Sequence, residues 1–272
     1  MTSRRRRTTI IGALLGLGAL GTSFPFLWMV ASSLKPLSES RAYPPTILPS
    51  APTLDSYVRL FTELDFARYL LNTIIVVAIG FGGMLLVAMA GYGFAKFRFR
   101  GRRVMFLLVL STMMIPVQVT MIPTYLILNS VGLTNTLLGV AMPTLVGGFG
   151  LFLTRQFMTT IPDEMLEAAR LDGAGEWRIL RSIVMPMSRP ILAVLGVLTF
   201  ITGWNSFLWP LVIASDSDNY TLSVGLSLLN KQLTVDPPLQ MAGATLMVIP
   251  IVVLFVLLQR QIVQGFALSG LK

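Results

Sequence analysis

Six stretches of this sequence run for the length of a membrane span without an Asp, Glu, Lys or Arg in the middle: 10–34, 70–95, 104–128, 137–154, 190–213 and 239–259. A helix needs about 20 apolar residues to cross the hydrocarbon core, and a charge at its centre costs roughly 2.5–3.5 kcal/mol. The expected fold is therefore all-α, a six-span transmembrane helical bundle. A mean hydropathy of +0.75 and a charged fraction of only 12% agree with that class. The fourth stretch is the shortest and carries Pro143 and the pair Gly147-Gly148, so a kink is expected there.

The same stretches restrict the chemistry. The chain has no Cys and no His, which removes thiol chemistry, the usual metal ligands and the usual general base together. An intramembrane enzyme would need a nucleophile–base pair or metal ligands, and an ion-coupled secondary transporter normally uses buried carboxylates. Neither set is present in the six stretches. No GxxxxGK[ST] loop occurs, so no nucleotide site of that type is expected in this chain. Catalytic, cofactor and metal sites are all expected to be absent.

The distribution of charge sets an orientation. Arg4 to Arg7 precede an apolar run too long for a signal-peptide core, so residues 1–9 are read as a cytoplasmic basic N-terminus and 10–272 as the transmembrane domain. With that end inside, 16 basic residues face the cytoplasm and 5 face outward (Lys35, Arg41, Arg59, Arg68 and Lys231). Both termini are then cytoplasmic. The excess of basic charge is explained by topology, and nucleic acid is not expected as a partner. The first outer loop, 35–69, holds Pro36, Pro44, Pro45, Pro49 and Pro52 and should begin extended. It should end in a short amphipathic helix lying at the outer interface and carrying Leu54, Tyr57, Val58 and Phe61. The last outer loop, 214–238, carries Asp216, Asp218 and Asp236, as either a partner contact or a solvated connection.

The cytoplasmic loop 160–189 predicts two short helices. Pro162, Asp163 and Glu164 suit a helix start. Met165, Leu166, Ala168 and Ala169 place small and apolar groups along one side, and Gly173 suits a left-handed C-terminal break. A second helix over about 175–184 would present Trp177, Ile179, Leu180 and Ile183, with Pro186 and Pro190 breaking it. Arg170, Asp172, Glu176 and Arg178 put charge around this elbow. By these rules it is either a lever for another protein or an unpartnered surface helix.

The spacing Glu167-Ala168-Ala169, three residues, Gly173, nine residues, Ile183, and then Pro186 resembles the EAA loop of bacterial ABC-importer permeases. Met185 replaces the usual Leu. The segments PFLWMVASSLKP (25–36), GYGFAKFRFRGR (91–102) and GWNSFLWPL (203–211) resemble the carbohydrate-uptake branch, in particular its shorter, MalG-like six-span subunit. The resemblance implies a type I ABC-importer permease fold, with Glu167 to Gly173 (Arg170 and Asp172 included), Ile183 and Pro186 coupling to an ATPase. It implies a second, non-identical permease, an ATPase dimer that binds ATP and Mg, and an extracytoplasmic solute-binding protein as partners. The expected location is a bacterial or archaeal cytoplasmic membrane. A sugar or oligosaccharide is the expected solute, with glycerol phosphates as the alternative.

A sugar path needs hydrogen-bonding groups and aromatic faces. The candidates are Gln118, Thr120 and Tyr125 in the third stretch, with Thr112 beside them. In the fifth they are Thr202, Trp204, Asn205 and Trp209, with Ser206. The competing role for each is a bond or packing contact with a neighbouring helix. Pro116 and Pro123 are expected to open the backbone of the third stretch.

Overall fold

The computed structural model describes residues 2–232 and 236–269, and all regular structure among them is helical. Lys272, counted above with the inner charges, lies outside the described residues. The first stretch is α1 (Thr2–Ser33), followed by the short helices α2 (Leu37–Ser40) and α3 (Asp55–Thr62). The second is one unbroken helix, α4 (Phe66–Lys96). The third is split into α5 (Arg102–Thr112) and α6 (Val117–Ser130), which meet at 104°. The fourth is split into α7 (Leu137–Leu145) and α8 (Gly148–Met158), bent by 42°. Next come α9 (Asp163–Leu171), α10 (Glu176–Ile179), a π-turn over Leu180–Val184 and α11 (Met185–Met187). The fifth stretch is α12 (Arg189–Trp204) and α13 (Leu208–Ile213). After α14 (Leu222–Gln232), the sixth begins α15 (Pro237–Ser269).

Each break has a local cause. Pro116 caps α6 in an extended conformation, φ −59° and ψ 135°. It offers no N–H to the last turn of α5, so the ladder cannot pass it. Pro123, by contrast, sits inside α6. Between α7 and α8, Val146 and Gly147 are both extended. Gly148 then lets α8 start against α5: a Cβ there would lie 3.0 Å from Met113 Cγ and 3.1 Å from the Val109 carbonyl.

The chain forms two compact units, Met1–Ala67 with Leu226–Pro250, and Arg68–Gly225 with Ile251–Lys272. In the first, the proline-rich segment is not extended as expected. Lys35 is buried, lies 4.8 Å over the Trp28 ring and donates to the Thr46 carbonyl. The Glu39 carboxylate accepts from the Thr46 hydroxyl at 2.8 Å and from the Ser50 amide and hydroxyl at 3.0 and 2.8 Å. These bonds, the Thr46 one foremost, hold the Glu39 carboxyl below its ordinary range and fold the segment back. The amphipathic helix forms as α3; it buries Ser56 and Leu60 and leaves Leu54, Val58 and Phe61 exposed. Arg59 ties α3 to Asp236 at 2.7 Å.

Among the described residues, two cores of the second unit sit on α4. One gathers Val76, Leu128, Val140, Ala141, Ile213 and Ala214. The other gathers Tyr92 with Met158, Ile161, Leu166, Ile179, Leu180 and Val184. At 1.5 Å per residue, Val76 and Tyr92 are about 24 Å apart along one rod, so the two cores are joined by a single rigid helix.

Candidate functional site

The loop 160–189 forms the anticipated elbow. Asp163 and Glu164 occupy the first turn of α9 behind Pro162, where their charge favours the helix start. Its end is a Schellman motif: the Ala174 amide donates to the Ala169 carbonyl at 2.9 Å and Gly173 to Arg170 at 3.0 Å. Gly173 stands at φ +80°. A Cβ there would meet nothing within 4 Å, so a side chain would suffer from backbone strain and not from a clash inside this chain.

The second helix departs from the expected one. It runs from Glu176 through Pro186 to Met187 and turns by 79° into α12 only at Ser188. The π-turn before Pro186 explains the continuity. There the Met185 amide reaches back five residues to the Leu180 carbonyl, and the widened turn accommodates the proline ring and its missing donor. Pro190 starts α12 and does not end the preceding helix.

Packing and polar bonds fix the elbow to α4. Leu166, Ile179 and Val184 enter the core around Tyr92, with Ala169 and Ile183 packed against it. Lys96, its side chain 4% exposed, binds Asp163 at 2.6 Å and the Ile161 carbonyl. Tyr92 donates to Glu176 at 2.9 Å, and Arg170 donates to the other oxygen of that carboxylate at 2.7 Å. The Arg170 bond first, and the Tyr92 hydroxyl with it, hold the Glu176 carboxyl below its ordinary range, against a smaller upward push from burial. Lys96 does the same for Asp163.

The outward face of the elbow is apolar at its tip. Glu167, Ala168 and Asp172 are exposed, and with them Met165, Trp177 and Leu171, the last at 89%. Leu166 turns inward, so the apolar side expected from sequence divides between core and surface. Leu171 and the anchors Tyr92 and Lys96 were not anticipated. The helical offset of Leu171 from Ala168 is a signal that could have found the first.

The path candidates are scattered. Gln118, Thr120, Thr202 and Asn205 are exposed in the isolated chain. Thr120 donates to the Val117 carbonyl at 3.0 Å, and Asn205 to the Ile201 carbonyl at 3.0 Å. Thr202 lines a cleft of about 190 Å³ with Thr144, Thr199 and Pro143, beside the α7–α8 break. Trp204 is buried with its ring stacked 5.2 Å from Phe200. Trp209 donates to the Gly139 carbonyl at 3.2 Å, and both it and Tyr125 pack on the core around Val76.

A second polar centre was also not anticipated. Asn135, at φ 56°, accepts from the Ser215 and Asp216 amides at 3.0 Å each and donates to the Asp216 carboxylate at 2.5 Å. Asn72 reaches the Asp218 and Tyr220 carbonyls at 2.8 and 2.9 Å. The segment after α13 is therefore strapped down, and α14 occupies much of the loop expected at 214–238.

Residues 83–267 match the model of the family described as binding-protein-dependent transport system inner membrane component. The arabinooligosaccharides transport system permease protein AraQ of Halalkalibacterium halodurans is 33% identical over 280 residues, covering 99% of each chain. The sn-glycerol-3-phosphate transport system permease protein UgpE of Brucella abortus is 32% identical over 276 residues, covering 97% of this chain and 98% of that one. Among solved structures, a chain of a bacterial ABC transporter involved in the import of the acidic polysaccharide alginate superposes with a TM-score of 0.85. It is 25% identical and the match covers 96% and 98% of the two chains.

Proposed function

The chain belongs to the family of binding-protein-dependent transport system inner membrane components, and on that premise we propose how it works. It is a multi-pass inner-membrane permease of an ABC importer and performs no chemistry itself. In our reading its elbow, Glu167 to Gly173 with Ile183 and Pro186, docks on a separate ATPase that binds ATP and Mg. A second, non-identical permease completes the path, and an extracytoplasmic solute-binding protein delivers the solute. The observation that carries this reading is the elbow: an apolar tip on a motif locked by Gly173, bolted through Tyr92 and Lys96 to a span-length helix. Movement imposed at the tip then reaches α4 directly.

The solute in this reading is a neutral sugar or oligosaccharide. Its support is the AraQ likeness together with six apolar stretches that hold no Lys or Arg to neutralise a phosphate. The UgpE likeness supports glycerol phosphate as the second reading. Uptake by the reconstituted complex decides between them: transport of labelled oligosaccharide unaffected by excess sn-glycerol 3-phosphate is expected, and the reverse selectivity refutes it.

Gly173→Asp tests the coupling itself. It should leave the permease inserted while abolishing uptake and the stimulation of ATPase by loaded binding protein. Strain of about 1–2 kcal/mol arises at the bent joint, and a carboxylate intrudes on the docking face. Wild-type uptake by an assembled Gly173→Asp complex would sink the reading.

A further inference from the structure

We propose that the basic groove between the end of α4, the first turns of α5 and the last turn of α8 is a binding site for an anionic phospholipid headgroup, its acyl chains lying along α5. The proposal rests on the orientation that puts residues 96–103 in the cytoplasm, so the lipid belongs to the inner leaflet.

The groove is built by a turn. Gly101, at φ +83°, reverses the chain so that Arg98 comes beside Arg102 and Arg103. These three line one cleft of about 470 Å³ with Phe99. Arg102 and Arg103 also line a second cleft of about 370 Å³ with Phe106, Leu107 and Arg155. Basic heads and apolar walls therefore share one concave surface. Arg155 is held in it, its guanidinium 4.1 Å over the Phe106 ring and its Nε 3.4 Å from the Phe94 carbonyl. Arg102 is held by a 2.9 Å bond to the Phe97 carbonyl.

No carboxylate forms an ion pair with Arg98, Arg102, Arg103 or Arg155 among the described residues. Asp163, whose carboxylate feels Arg98, is already bound by Lys96 at 2.6 Å. Four guanidiniums on an apolar wall thus lack an anion, and the guanidinium fork matches phosphate oxygens. The adjoining flank decides the source of that phosphate. Val104, Leu107 and Leu108 of α5 are exposed, and a free phosphate ion has nothing to place against them. A phospholipid covers both parts, as basic sites at the cytoplasmic membrane surface do.

The test uses the assembled complex in mild detergent, offered equal phosphatidylglycerol and phosphatidylcholine, with retained lipid counted by native mass spectrometry. Wild-type complex should retain phosphatidylglycerol preferentially. Arg98→Gln/Arg103→Gln should lower that preference roughly 25-fold, at about fivefold per charge. That pair leaves the held Arg102 and Arg155 in place. Arg178→Gln, on the elbow, should retain the wild-type preference. Equal retention of the two lipids by wild type, or an unchanged preference in the double variant, overturns the proposal. So does complete displacement of the lipid by millimolar inorganic phosphate, which would make this a free-anion site. Loss of the ATPase from the double variant would instead identify the groove as a protein interface. Orientation is read separately by cysteine labelling, so a failed lipid site and a failed topology give different results.

Discussion

Lys96 places a cationic head where almost no water reaches, between a backbone carbonyl and a carboxylate. Lys96→Met keeps the aliphatic stem but leaves the Ile161 carbonyl and Asp163 without their donor, a loss of about 1.5–3 kcal/mol for charged hydrogen bonds. Faster hydrogen exchange over 160–172 is expected, together with ATPase activity that no longer tracks solute uptake. Unchanged exchange would mean that the packing around Tyr92 suffices. Glu176 makes a different prediction, because its carboxyl is depressed below 4.5 by Arg170 and Tyr92. A group with a lowered folded-state pKa contributes fully above its unfolded value and loses that contribution as pH falls through the folded one. The elbow should therefore loosen in acid, below about pH 4.5, and Glu176→Gln should remove that part of the acid dependence. Fluorescence of Trp177 in a variant lacking the other tryptophans reads both. Gly173 was legible in the sequence because a helix end is written locally, in a glycine and its neighbours. Lys96 and Tyr92 were not, since their partners lie 67 and 84 residues away.

Among the elements, the helices were readable and their ends less so. Pro116 and the Gly147-Gly148 pair gave the interruptions of the third and fourth stretches, because each removes a donor or a side-chain constraint where it stands, whereas α7 runs through Pro143. Pro186 misled for the same reason in reverse. A π-turn, which no local pattern announces, lets the helix run on to Ser188. The apolar side chains expected at the outer interface, Leu54, Val58 and Phe61, stay exposed at α3 in the isolated chain. The strap on the segment after α13 depends on Asn135. Asn135→Ala removes the acceptor of two amides and the donor to Asp216. It should cost about 1–3 kcal/mol locally and raise hydrogen exchange across 215–219. Asn135→Gly relieves the positive φ but restores none of those bonds, so its exchange should match that of the alanine variant. Rescue by glycine would mean that backbone conformation, and not the amide side chain, holds the segment.

For the whole molecule, the distribution of basic residues makes a prediction that one experiment can break. The chain has no cysteine, so a single introduced thiol reports cleanly. Ser217→Cys should react with an impermeant maleimide from outside intact cells, and Glu164→Cys only in inverted vesicles; the opposite pattern would invert the topology. The 104° bend between α5 and α6 has a consequence for biosynthesis. At 1.5 Å per residue the 11 residues of α5 reach about 16 Å and the 14 of α6 about 21 Å, each short of a hydrocarbon core of about 30 Å. Neither half alone satisfies the insertion machinery, which must accept 104–128 as one continuous apolar segment. Entry as one segment would require it straight, and the 104° bend would then be made in a later step of assembly.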